Sequence, residues 1–77
     1  MMLELYGTAS CPYTAQLRED LEFRHESFIE YDVECDPDAL ARMLDLCEGD
    51  HRVPVLVSNG QVLQIGYEGR GCYAGGV

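Results

Sequence analysis

Leu3 and Leu5 alternate with Glu4 and Tyr6 as far as Gly7, which is the two-residue period of a short strand. From Pro12 to about Arg24 the pattern turns helical, with Leu17 and Leu21 on one face. Ser27 to Val33 is β-branched and aromatic, with Ile29, Tyr31 and Val33 on one side and Phe28, Glu30 and Asp32 on the other. The acidic face predicts a strand near a sheet edge. Asp36-Pro37-Asp38-Ala39 starts a second helix, with an N-cap acid, proline at the first position and another acid at the positive pole. Leu40, Met43, Leu44 and Cys47 follow at i, i+3, i+4 and i+7, so Cys47 reads as a small core residue. Gly49 suits the C′ position of that helix. Val53-Pro54-Val55-Leu56-Val57 and Gln61-Val62-Leu63-Gln64-Ile65 flank Ser58-Asn59-Gly60. Asn-Gly between two apolar runs signals a hairpin, because both central residues of the tight turn need positive φ. The order β-α-β-α-β-β predicts an α/β domain with a four-stranded mixed sheet. Beyond Ile65 the chain is Gly-rich and too short for more than one helical turn.

Seventy-seven residues in this arrangement make one domain, 1–77. A chain of that length buries only about 60–65% of its unfolded surface, so stability is modest without a partner subunit or a disulfide. There is no apolar run of the roughly 18 residues a membrane span needs. Met1 leads straight into the strand pattern without a basic region and a long apolar stretch, so no signal peptide is expected and the expected compartment is the cytoplasm. Fourteen acids against five arginines and no lysine give a net charge of −9. That field repels phosphate backbones and anionic lipid, which argues against nucleic-acid or membrane-surface partners. It also lends weight to any arginine placed near a pocket.

The chemistry concentrates at Ser10-Cys11-Pro12-Tyr13-Thr14. Proline is favoured as the first helical residue, which puts Cys11 near the N-cap. Free N–H groups and the helix dipole stabilise negative charge there. Helix N-termini lower a cysteine pKa from roughly 8.5 toward about 3.5–7.5, and thiolate is the nucleophilic form. Cys11 is therefore the candidate reactive thiol, provided that its sulfur projects from the helix end and is not enclosed in hydrocarbon. The other cysteines, 35, 47 and 72, form no C-x-x-C pair and no zinc-ligand spacing. His25 and His51 read as solvated surface residues.

A strand, a Cys11-Pro12-Tyr13 loop, a helix, then Val53-Pro54 opening a hairpin and Gly66-Tyr67 beyond it resemble the glutaredoxins and the wider thioredoxin fold over about residues 2–72. Cys11-Pro12-Tyr13-Thr14, the run Val53 to Val57 and Gly69-Arg70-Gly71-Cys72 are most similar to short bacterial glutaredoxin-like proteins in which selenocysteine often replaces the nucleophilic cysteine. The resemblance implies a thioredoxin-like fold with the final helix short or absent. It makes Cys11 the attacking thiol and Pro54 a cis-proline facing it. Val53's backbone is left free to pair with a peptide-like substrate by strand addition. Gly66-Tyr67 matches the Gly-Gly pair that leads to the glutathione γ-glutamyl site. Pro12 and Tyr13 would line the site, Thr14 would donate a hydrogen bond to the thiolate, and Arg52 or Arg70 would take a substrate carboxylate.

Three departures alter that picture. Thr14 replaces the second cysteine of dithiol glutaredoxins, Thr8 replaces a lysine that anchors the glycyl carboxylate, and the last helix is largely missing. The first calls for a monothiol route or a resolving cysteine elsewhere. In the fold implied, the loop after the last strand returns beside the active-site loop, so a Cys11–Cys72 disulfide can replace the absent pair if the Cα atoms come within about 7 Å. The function implied is thiol–disulfide exchange with glutathione as co-substrate, acting on glutathione or protein disulfides, with no tightly bound cofactor and no metal, in a monomer or weak homodimer. The alternatives are an iron–sulfur carrier of the monothiol type, which usually has Gly-Phe-Ser after the cysteine, and a binding module resembling the first half of glutathione transferases.

Overall fold

The computed structural model describes residues 2–74. Among them the chain forms β1 (Leu3–Gly7), α1 (Pro12–Phe23), β2 (Phe28–Asp32), α2 (Pro37–Leu46), β3 (Arg52–Val53), β4 (Val55–Ser58), β5 (Gln61–Ile65) and β6 (Cys72–Tyr73). The main sheet has the order β2-β1-β4-β5. β1 runs parallel to β2 and antiparallel to β4, and β4 pairs with β5 across the hairpin. This is the mixed four-stranded sheet that the pattern predicts, with β2 on the expected edge.

Alternation along β1 sorts the core into two clusters. Leu5 joins Leu17, Leu21 and Leu56, so α1 packs on one face. Tyr6 joins Ala39, Met43, Val55 and Val57, so α2 packs on the other. Successive strand side chains point to opposite faces, which is why neighbouring residues serve different helices. The Tyr6 and Tyr31 rings stack with centroids 5.0 Å apart, and the Arg42 guanidinium of α2 lies 5.0 Å above the Tyr31 ring. This stack ties α2 to both parallel strands through one aromatic pair and one cation.

The ends of the elements follow local chemistry. Asp36 caps α2 by accepting a hydrogen bond from the Ala39 amide at 3.1 Å. The C-terminal end differs by one residue from the expectation, since α2 stops at Leu46 and Glu48, not Gly49, takes the left-handed C′ position at φ 56°. Gly49 follows at φ 89° and donates to the Leu44 carbonyl at 2.8 Å, the longer of the two bonds of a Schellman ending. The hairpin turn is as predicted, with Asn59 at φ 53° and Gly60 at 78°. A register shift beyond Leu56 leaves Leu63 outside the ladder and exposed. Ile29 is likewise exposed although Tyr31 and Val33 turn inward, because β2 has a neighbour on one side only.

Two features depart from the predicted order. The apolar run Val53 to Val57 is two strands, interrupted by a cis Val53–Pro54 bond. The Gly-rich stretch after Ile65 includes a short strand, β6, which pairs antiparallel with β3 in a small second sheet. A Met43→Ala substitution, which empties a fully buried position, is expected to lower the free energy of urea unfolding by about 2–5 kcal/mol. Phe23→Ala, at a position 83% exposed, is expected to change it by less than about 0.5 kcal/mol.

Candidate active site

The amino end of α1 is built as its sequence suggests. Cys11 is the N-cap in extended conformation (φ −85°, ψ 116°), Pro12 opens the helix, and the Cys11 side chain makes no capping hydrogen bond. The Cys11 carbonyl accepts from the Ala15 amide at 3.2 Å, and its own amide donates to the Thr8 carbonyl at 3.3 Å. Backbone bonds thus set the sulfur at the positive end of the helix, where no capping hydrogen bond engages it.

That sulfur is bonded to Cys72, with a Cα–Cα distance of 6.0 Å across a sequence separation of 61. Two elements bring the cysteines together. The break at cis Pro54 separates β3 from β4, and β6 lies antiparallel on β3 with Cys72 opposite Val53 and Tyr73 opposite Arg52. The returning segment is pinned at both ends. The Gly66 amide donates to the Pro54 carbonyl at 2.6 Å, and the Ala74 amide donates to the His51 carbonyl at 2.9 Å. His51 Nδ1 also lies 2.7 Å from the Ala74 carbonyl oxygen, so this histidine is a structural strut and not a solvated residue. Between the pins, Tyr67 and Arg70 close a tight turn with hydrogen bonds of 2.6 and 3.0 Å.

Glycine is required in two places here. Gly66 adopts φ 84°, and a Cβ there would sit 2.7 Å from the Arg70 carbonyl oxygen. Gly71 has no such torsion, but a Cβ would overlap the Val53 carbonyl oxygen. Gly7 plays a similar part below the site. Thr14 fills the space that a Cβ on Gly7 would take, is fully buried, and its Oγ1 has no hydrogen-bond partner among the described residues.

Two expectations are corrected. Val53's backbone is not an open edge, because β6 occupies it. Cys11 is not accessible in this state; it is 2% exposed and packs in the α2-side cluster with Val53, Val55 and Ala74, with half-buried Cys72 and Tyr13 against it. The resemblance implies no strand at β6, although Cys72-Tyr73-Ala74 is a short apolar run after a glycine turn. The other candidate residues divide. Pro12, Arg52 and Arg70 are exposed, and neither arginine has an ion-pair partner among the described residues, where the ion pairs are Arg18–Glu30 and Arg24–Asp20. Tyr67 packs on the α1-side cluster of Leu5, Leu17, Leu21 and Leu56, away from the cluster that holds Cys11.

The two free thiols are held protonated by their surroundings. Cys35 is exposed beside Asp32, with Sγ 3.6 Å from Oδ2, and that carboxylate's charge raises its pKa above the ordinary thiol value. Burial raises that of Cys47, with a smaller contribution from Asp50. Neither is the low-pKa thiolate that exchange chemistry requires.

The family model described as Glutaredoxin matches residues 3–63. The thioredoxin-like protein BC3987, whose crystal structure was determined as a mutant form, superposes with a TM-score of 0.75 at 27% sequence identity, over 86% of this chain and 82% of that one. No curated protein matches the chain in sequence. Together with the sheet order above, these likenesses make the fold thioredoxin-like. With the Cys11–Cys72 bond intact, iodoacetamide is expected to label Cys35 and Cys47 more slowly at pH 7.5 than it labels an unstructured cysteine peptide. A raised pKa leaves less thiolate at that pH, so both rates should climb on going to pH 10, as peptide mass spectrometry would show.

Proposed function

Because the chain belongs to the glutaredoxin family, we propose that it catalyses thiol–disulfide exchange through Cys11, with Cys72 as the resolving cysteine. The observation that carries this reading is the bond between these two sulfurs, formed at a helix N-cap. Thr14 supplies no cysteine within the first helical turn, and Cys72 fills that role from the far end of the chain.

The cycle follows from this arrangement. Cys11 as thiolate attacks a disulfide or a glutathionylated thiol; a new S–S bond forms to Cys11, and the departing thiolate takes the electron pair of the bond that breaks. Cys72 then attacks Cys11's sulfur, releases the bound thiol and leaves the Cys11–Cys72 disulfide. Two equivalents of an external thiol, glutathione in this proposal, reduce that disulfide and become oxidised to glutathione disulfide. Thr14's partnerless hydroxyl, one turn into α1, is the donor available to the Cys11 thiolate when the disulfide opens. Arg52 and Arg70, without an ion-pair partner among the described residues, are the cations proposed to take a substrate carboxylate. The iron–sulfur alternative needs Cys11 as a free thiolate ligand, and its engagement with Cys72 favours exchange. The ending Gly69-Arg70-Gly71-Cys72 supports placing the chain beside the short glutaredoxin-like proteins that often use selenocysteine.

Mixing the reduced protein with a glutathionylated peptide and quenching with acid tests the roles. Wild-type protein is expected to end as the Cys11–Cys72 disulfide, and Cys72→Ser is expected to accumulate glutathione on Cys11. Cys11→Ser is expected to lose at least about 99% of the exchange rate, as for removal of a nucleophile whose chemistry nothing else supplies. Retention of wild-type rates by Cys11→Ser would overturn the assignment.

A further inference from the structure

The register of β3 and β6 pairs Arg52 with Tyr73 and Val53 with Cys72, so the next residues along, His51 and Ala74, face each other. In a bonded antiparallel pair each residue's amide donates to the other's carbonyl. Here the Ala74 amide donates to the His51 carbonyl at 2.9 Å, while the Ala74 carbonyl oxygen lies 2.7 Å from a side-chain atom, His51 Nδ1. A carbonyl oxygen only accepts, so Nδ1 carries the hydrogen. His51 thus grips both polar groups of Ala74. The Ala74 methyl adds a third hold, since the residue is 2% exposed and belongs to the same buried cluster as Val53 and Val55. None of these contacts passes through sulfur. Cys72 stands two residues from this anchor, and the bond from the Gly66 amide to the Pro54 carbonyl secures the segment on its other side.

We infer that His51 is a positioning residue for the resolving thiol. By gripping Ala74 it keeps β6 on β3 after the Cys11–Cys72 bond is reduced, and so holds the Cys72 sulfur next to Cys11. The inference rests on the exchange reading above and concerns its second step. In that step the Cys72 thiol gives its proton to solvent, and the thiolate attacks the sulfur of a Cys11 that bears glutathione. The Cys11–Cys72 bond forms, the Cys11–glutathione bond breaks, and glutathione leaves as a thiolate with the electron pair. The two cysteines are oxidised to a disulfide and glutathione is reduced. A tail tethered only at Ile65 would meet Cys11 at the millimolar effective concentration of a flexible link. A docked strand holds the same thiol in place, and the rate follows the fraction of molecules in which the strand is docked.

Hydrogen exchange and rapid-quench mass spectrometry test this on the full-length chain. In the reduced wild-type protein the Ala74 amide is expected to exchange at least about tenfold more slowly than in an unstructured peptide. Exchange at the unstructured rate overturns the inference with no variant involved. Reduced wild-type, His51→Ala and His51→Asn proteins are then mixed with a glutathionylated peptide and quenched with acid at intervals. Glutathione is expected to reach Cys11 at the same rate in all three. Its displacement by Cys72 is expected to slow about fivefold in His51→Ala, the effect of one internal hydrogen bond. His51→Asn is expected to restore displacement, because its amide nitrogen stands as many bonds from Cα as Nδ1 does. In a glutathione redox buffer the equilibrium constant for forming the Cys11–Cys72 disulfide is expected to fall by the same factor in His51→Ala. A general loss of stability in a protein that is still folded would not move that constant. Unchanged displacement in His51→Ala, a loss that His51→Asn does not repair, or equal slowing of both steps overturns the inference. The exchange reading then stands, since the Cys11–Cys72 disulfide still forms. Wild-type protein that never takes glutathione on Cys11, or never displaces it, overturns that reading instead.

Discussion

The site depends on the pairing of β6 with β3. Without it, Cys72 belongs to a glycine-rich tail and Cys11 is a lone thiol at a helix end. With it, the two sulfurs meet across a sequence separation of 61. A cross-link closing a loop of that size removes roughly 4 kcal/mol of chain entropy from the unfolded state on the loop-closure account, a large share of what a domain of this length can muster. The pairing itself rests on small features. The cis bond at Pro54 separates β3 from the main sheet, Gly71 lets the two backbones approach, and His51 holds the far end through the Ala74 carbonyl and amide.

The main sheet makes that pairing possible without contributing either cysteine. β1 and β4 run side by side through the centre, so Gly7 at the end of β1 and Pro54 just before β4 lie near one another. Each adjoins a segment of the candidate site, the Cys11 loop after β1 and β3 before β4. Burial of Tyr6, Val55 and Val57 on one face and of Leu5 and Leu56 on the other fixes the register of this pair, because a slip of one residue would turn every apolar side chain to the wrong helix. Rigidity in the centre of the sheet thus becomes precision at its end.

Electrostatics separate one sulfur from the others. With fourteen acids and five arginines, the protein's overall field opposes thiolate formation, and Cys35 beside Asp32 shows the local form of that effect. Cys11 is placed where helix amides oppose the field, in a first turn that contains no acidic residue. Burial of the Cys11–Cys72 bond has a further consequence. Cys11 is almost wholly covered while Cys72 is half-buried, so an incoming thiol meets β6 first.

Local pattern was enough to determine much of this protein. Period-two alternation and helix starts at Pro12 and Asp36-Pro37 placed both helices and the main strands, and Asn59-Gly60 placed the hairpin, because each of these signals acts within a few residues. The N-cap position of Cys11 was legible for the same reason, and its meeting with Cys72 came only by way of family resemblance. The β3–β6 pair was not legible. Two-residue strands have no period to read, and their partner choice is a matter of which backbone edge is left open once the chain has folded. Tertiary structure alone decided that Val53's edge is filled from within and that Cys11 is covered. It also decided that Gly71 is needed for space and not for torsion, since that need arises from a carbonyl eighteen residues away in sequence.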